Sequence, residues 1–158
     1  MKIKIYCIGK IKDQYLKDGV NEYIKRISAY ASVEIIEVAD LKVKDNPNSS
    51  DIEKAKNEEG ERVLKQLKND YLIGLDLNKK EPTSEEFAEF LHSKLVEGGS
   101  NISFVIGGSY GLSDSLKQRC NSSISLSKLT FLHQMTRLIL LEQIYRAFKI
   151  LNNETYHK

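Results

Sequence analysis

Short apolar runs recur along the chain, and amphipathic segments lie between them. "KIKIYCI" (2–8) alternates with the period of a half-buried strand, and "VEIIEV" (33–38), "YLIGLD" (71–76), "ISFVI" (102–106) and "SISLS" (123–127) give four more strand signals. After the first strand, Tyr15, Leu16, Val20, Tyr23, Ile24 and Ile27 fall on one helical face. The polar stretch "DLKVKDNPNSSD", with Pro47, reads as a loop. A charged helix is predicted from about Asp51 to Lys68, with Ile52, Ala55, Val63, Leu64 and Leu67 inward. Its residues from Glu53 to Glu59 are nearly all polar and give the first turns little to pack. Thr83 and Glu86 form the capping box of the next helix, Phe87, Phe90, Leu91 and Leu95 its buried stripe, and Gly98-Gly99 its end. Ser113 is the expected N-cap of a short helix, "HQMTRLILLEQIYRAFKIL" is the last helix, and "NNETYHK" is a tail.

This alternation predicts one α/β domain over residues 1–158, with a mostly parallel sheet and helices on both faces. Ligands of such sheets bind beyond the carboxyl ends of the strands, where 107–111 and 128–133 would both fall. The last helix is too apolar for one buried face: Leu138, Ile139, Leu140 and Leu141 are consecutive and point all round it. A second copy of the chain is the expected cover. A central core helix in a monomer is the alternative.

Composition narrows the class. No run approaches the roughly 18 apolar residues that span a bilayer, and "MKIKIYCIGK" is apolar over too short a stretch for a signal peptide. A cytoplasmic protein without membrane segments is expected. Cys7 and Cys120 fit a reducing compartment and show no metal-ligand spacing, and Cys7 reads as an inert core thiol. No acidic and histidine cluster calls for a metal. Net charge is +2, but residues 115–158 carry seven Lys/Arg against two acids, leaving −3 for the rest. A positive end suits a polyanionic partner, and a solvated helix face explains it equally well.

Two loops carry candidate chemistry. "FVIGGSYGL" (104–112) runs from a strand into glycines, but it is not a dinucleotide fingerprint. Ile106 stands where the first glycine belongs, and Lys128 occupies the place, about 20 residues on, of the ribose-binding acid. No Walker lysine follows either. A plain tight turn fits the local pattern as well. "SLSKLTFLHQMTR" (125–137) lingers after a strand before entering the apolar helix. His133 and Arg137 are four apart at that helix's start, where cations oppose the helix dipole, which hints at an anionic ligand. A neutral capping or core histidine is the equal alternative for His133. His92, within "FLHSKL", reads as structural.

Taken together, "IGKIK" (8–12), "YIKR" (23–26), "FVIGGSYGL", "LSKLTFLHQMTRLILLEQIYRAFKI" (126–150) and "YHK" (156–158) resemble the ribosomal RNA large subunit methyltransferase H family over the whole chain. These are the pseudouridine N3-methyltransferases of the SPOUT superfamily. The resemblance implies a C-terminal trefoil knot, which general topology rules would argue against. It also implies a homodimer, a 23S rRNA substrate, and S-adenosylmethionine held by backbone groups. Carried over residue by residue, the cofactor positions are Leu75, Gly107, Leu126, Ser127, Lys128, Leu129, Thr130 and Phe131. One departure is Leu132, where the family usually has proline; it bears on the stiffness of the loop.

The acceptor implied is an imide nitrogen, which becomes nucleophilic on losing its proton. The candidates to assist are His157 and Tyr156 in the tail, and His133 and Arg137 at the head of the last helix. Arg146 and Lys149 are either phosphate contacts or ordinary solvated charges. The rival readings are a non-catalytic RNA- or ribosome-binding module of the same fold, and a flavodoxin-type nucleotide-binding protein.

Overall fold

The computed structural model describes residues 1–158. In chain order the elements are β1 (Lys2–Ile8), α1 (Gln14–Ile27), β2 (Ser32–Val38), α2 (Ser49–Gln66), β3 (Tyr71–Leu75), α3 (Ser84–Glu97), β4 (Asn101–Ile106), α4 (Asp114–Arg119), β5 (Ser122–Ile124) and α5 (His133–Leu151). The sheet order is β2-β1-β4-β3-β5, and every pairing is parallel. Every strand therefore ends on the same side.

Strand alternation sorts the core into two layers. Ile3, Ile5, Cys7, Ile102, Phe104 and Ile106 face α1, α3 and α5, while Tyr6, Ile8, Leu72 and Val105 belong to the layer that includes Val63 of α2 and Leu116 of α4. Cys7 is buried there, its thiol pushed up to about 12 by burial, as befits an inert core group.

The caps follow the sequence closely. Thr83 Oγ1 accepts from the Glu86 N–H at 3.1 Å and Glu86 returns a bond to the Thr83 N–H at 2.9 Å. Ser113 caps α4 through Leu116 N–H. Three expectations change. The polar start of α2 is anchored by a second capping box between Asn48 and Asp51, and Ala55, Glu59 and Gly60 are buried. β5 stops at Ile124 because the next N–H, that of Ser125, leaves the ladder for the Lys80 carbonyl at 2.9 Å. His92 is exposed on α3 and its side chain makes no hydrogen bond, so it is not a core or capping histidine.

The C-terminal path fixes the site. β5 is the edge strand beyond β3, yet α5 packs on both α1 and α3. Residues 125–132 make this return, passing the 76–83 connection where Ser125 meets Lys80. No helix is long and apolar enough to cross a membrane.

Candidate functional site: a main-chain cavity at the strand ends

The carboxyl ends of β3, β4 and β5 open onto a cavity of about 620 Å³, inside the range of about 300–1,000 Å³ usual for small-molecule sites. One wall is the glycine turn. β4 is held by strands on both sides and ends at Ile106, after which the chain folds on itself. The Gly111 N–H donates to the Gly108 carbonyl at 3.1 Å, and Gly111 takes φ 86°. A β-carbon on Gly107 would lie 2.6 Å from the Gly111 carbonyl carbon. The bare α-carbon at 107 thus lets the turn close.

The opposite wall is 125–132, shaped by its own serines. Ser125 Oγ donates to the Ser127 carbonyl at 2.9 Å, and Ser127 Oγ accepts from the Leu129 N–H at 3.0 Å. Leu75 at the end of β3, with Ile106, Leu126 and Phe131, supplies the apolar lining. The N–H groups of Gly107, Ser109 and Tyr110 on one side, and of Leu126, Ser127, Thr130 and Phe131 on the other, have no backbone partner. A cavity lined by residues with unpaired main-chain donors can take a polar heterocycle by its edge, with apolar contact to its faces.

Of the cofactor positions expected from sequence, Leu75, Gly107, Leu126, Ser127, Leu129, Thr130 and Phe131 all line the cavity. Lys128 does not; it is exposed on the outer side of the loop. Asp76 also lines the cavity and was missed. Its carboxylate lies 3.6 Å from Lys117 Nζ and is 11% exposed. The only sequence signal for it was its place as the last residue of the third predicted strand, 71–76.

The four candidate catalytic residues separate. His133 lines the cavity. Burial, then the charge of Arg137, holds its imidazole below the ordinary value. Arg137 stays beside His133 but does not line the cavity, so it is not free to meet an anionic ligand there. Its guanidinium is 1% exposed, with Nη1 2.7 Å from Glu37 Oε2 and Nη2 2.8 Å from the Gly9 carbonyl. The one buried side-chain donor without a partner is its Nε. Arg137, four residues after His133, lies on the core face of α5, which here meets the ends of β1 and β2.

Tyr156 and His157 lie at the other end of α5 and do not line the cavity of their own chain. Tyr156 O–H donates to Glu142 at 3.1 Å and lies 3.2 Å from the Tyr23 hydroxyl. Burial, then these partners, raise its pKa, so the phenol is a donor at neutral pH. His157 Nδ1 lies 3.3 Å from Arg146 Nη1 and Nε2 lies 2.8 Å from Glu85 Oε1. A guanidinium only donates, so Nδ1 accepts and the hydrogen sits on Nε2. Arg146 also pairs with Glu142 and stands 4.7 Å over the Tyr156 ring.

Comparison with known proteins bears directly on this cavity. The family described as "Predicted SPOUT methyltransferase" matches residues 1–157. The chain belongs to the SPOUT methyltransferase family. The proteins named "Ribosomal RNA large subunit methyltransferase H" from Acetivibrio thermocellus and Enterococcus faecalis are 50% and 47% identical to it. Each alignment covers 100% of both chains. The relative of the same name from Bacillus pumilus is 46% identical over the same span. Membership implies that the return of 125–132 past the 76–83 connection is a trefoil knot. The knot is what sets the two main-chain walls face to face. No three His, Cys, Asp or Glu side chains come together in a metal-binding arrangement.

Proposed function

We propose that the chain is an S-adenosylmethionine-dependent methyltransferase that modifies N3 of a pseudouridine in 23S rRNA, on assembled ribosomes. One observation carries the reading: in a SPOUT chain, two facing loops with unpaired main-chain donors enclose a cavity of about 620 Å³. Leu75, Gly107 and residues 126–131 would hold the adenosyl group, the apolar side chains against its faces and the backbone at its edge. When bound, S-adenosylmethionine supplies an electrophilic methyl group on a sulfonium. The protein's part is to align an imide nitrogen with that methyl group and to help it lose its proton.

His157 is the group best suited to the proton. It is half-exposed, and its ring is oriented by Arg146 on one nitrogen and Glu85 on the other, contacts it would exchange for substrate on binding. Because the tail lies apart from its own cavity, we assign it to the cavity of a second copy. The apolar surface supports a homodimer. Of seven exposed large hydrophobic residues, Leu77, Tyr110, Leu129 and Leu132 ring the cavity mouth, and Leu138 and Ile139 are only half covered. The partner RNA would meet Arg146 and Lys149 near the tail. A cytoplasmic setting follows from a ribosomal substrate.

Calorimetry with S-adenosylhomocysteine should give micromolar binding. Labelled methyl should then pass from S-adenosylmethionine to 70S particles from a methylation-deficient strain. Binding to RNA without the nucleoside would instead indicate a non-catalytic module. Mixing a His157→Ala protein with one disabled in the cavity should restore activity if tails serve the neighbouring copy.

A further inference from the structure

Glu59 is a buried carboxyl that the chemistry above leaves unused. It lies in α2, on the face of the sheet opposite α5, and is 4% exposed. One hydrogen bond holds it: Oε2 accepts from the Leu41 N–H at 3.1 Å. Its other contact is with the glycine turn. A β-carbon on Gly108 would stand 3.3 Å from Oε1 and 3.4 Å from Oε2, so the carboxyl lies against a bare α-carbon. The next residue extends the contact. A β-carbon on Gly60 would collide with Ser113 Oγ, the cap of α4. The Glu59–Gly60 step therefore rests on both ends of the 108–113 segment.

The same helix grips a second loop. Arg62 Nη1 donates to the Ala39 carbonyl at 2.7 Å, beside the Leu41 N–H that Glu59 accepts. Between them stands Asp40, whose side chain approaches Gly9 from the same side as His133 Nε2. The internal support of the turn is confined to the Gly108–Gly111 bridge, in which the Gly111 N–H donates to the Gly108 carbonyl. A buried carboxyl with a single hydrogen bond weakens a fold relative to an apolar side chain of similar size. Burial accordingly raises the Glu59 pKa above the ordinary carboxyl value.

We propose that Glu59 is a positioning residue of the methyl-donor cavity, bracing the Gly107–Gly111 turn from behind and tying it to residues 39–41. The inference rests on the methyl-donor reading of that cavity.

The test compares wild type, Glu59→Gln and Glu59→Ala by calorimetry with S-adenosylhomocysteine. Glutamine keeps the size and an acceptor for the Leu41 N–H, so affinity should stay within about twofold. Alanine removes both, and affinity should fall about tenfold at a temperature where the variant remains fully folded. In methyl transfer to ribosomes, the loss should appear in KM for the methyl donor and not in KM for ribosomes. Unchanged affinity in Glu59→Ala, or a loss that merely tracks a falling midpoint, overturns the inference while leaving the cavity reading intact. A wild-type protein that does not bind S-adenosylhomocysteine overturns both. Should the alanine variant fail to fold, Glu59→Leu keeps the volume without the acceptor. Weakened binding there supports the bracing role, and unchanged binding removes it.

Discussion

Two arginines nine residues apart on α5 meet opposite fates. Arg137, at the head of the helix, is sealed at 1% exposure and bound to Glu37 and the Gly9 carbonyl. Arg146, near the foot, keeps 24% of its side chain exposed among Glu142, His157 and the ring of Tyr156. At the head the guanidinium is a structural tie that joins α5 to the ends of β1 and β2. At the foot the same group sits in a half-open cluster with a histidine that solvent can reach. A cation that opposes a helix dipole therefore need not signal an anionic ligand; a carboxylate of the same chain can answer it.

The largest effect should come from breaking the head. Arg137→Ala leaves Glu37 and the Gly9 carbonyl without this donor and opens a hole in the core. The variant should lose about 3 kcal/mol of unfolding free energy, read as a lower denaturant midpoint with an unchanged slope. Arg137→Lys should recover only part of this, because one ammonium does not reproduce a guanidinium fork across two acceptors. An Arg137→Ala protein as stable as wild type but inactive would collapse the contrast between head and foot. At the foot the balance should reverse. His157→Ala should lower turnover about a hundredfold. It should move unfolding by less than about 0.5 kcal/mol and leave affinity for S-adenosylhomocysteine nearly unchanged. A large loss of that affinity would take the tail out of the chemistry and place it in the cofactor site.

The sequence made much of this legible. Period-two and helical patterns gave the ten elements and both faces of the sheet, because burial on a parallel sheet leaves long apolar runs. The two walls of the cavity were found from the glycines after one strand and from the stretch that lingers after another before the last helix begins. Local pattern did not give their apposition, since it depends on residues 125–132 passing the 76–83 connection, an event of chain topology. Only the resemblance to a family implied it. Arg137 was misplaced because spacing puts it on a face without saying what that face meets. Glu59 was passed over because a polar residue in a charged helix looks solvated until the Gly108 turn is seen lying over it. The crowding at Gly107 and Gly108 comes from the protein's own atoms, which sequence does not display.

The head of α5 can be sharpened with two smaller tests. His133 is held below its ordinary pKa by burial and by Arg137. The unfolded chain then binds the proton more readily. Stability should therefore fall as pH drops through the ordinary histidine value of 6.5 and level off below the lower folded value. Asp40 works against this shift and Lys12 with it. His133→Gln should flatten that part of the stability–pH curve. Removing Arg137 should shrink the slope if its charge contributes as described.

The smallest effect concerns Leu132, the residue that caps α5. It has φ −54° and ψ 128°, is 52% exposed, and its N–H has no backbone partner. Its carbonyl accepts from Thr136 N–H and Oγ1, at 3.0 and 3.2 Å, and proline would keep that carbonyl. Proline fixes φ near −65 ± 15°, so the observed angle suits it and no hydrogen bond is lost. Leu132→Pro should therefore raise stability by about 0.5 kcal/mol through the unfolded state, measured by denaturant unfolding. A stiffer loop should also bind S-adenosylhomocysteine slightly more tightly, because less freedom is lost on binding. A destabilised Leu132→Pro would mean that Phe131 cannot take the extended conformation proline requires of its predecessor. The loop would then hold its shape at a strain that leucine tolerates.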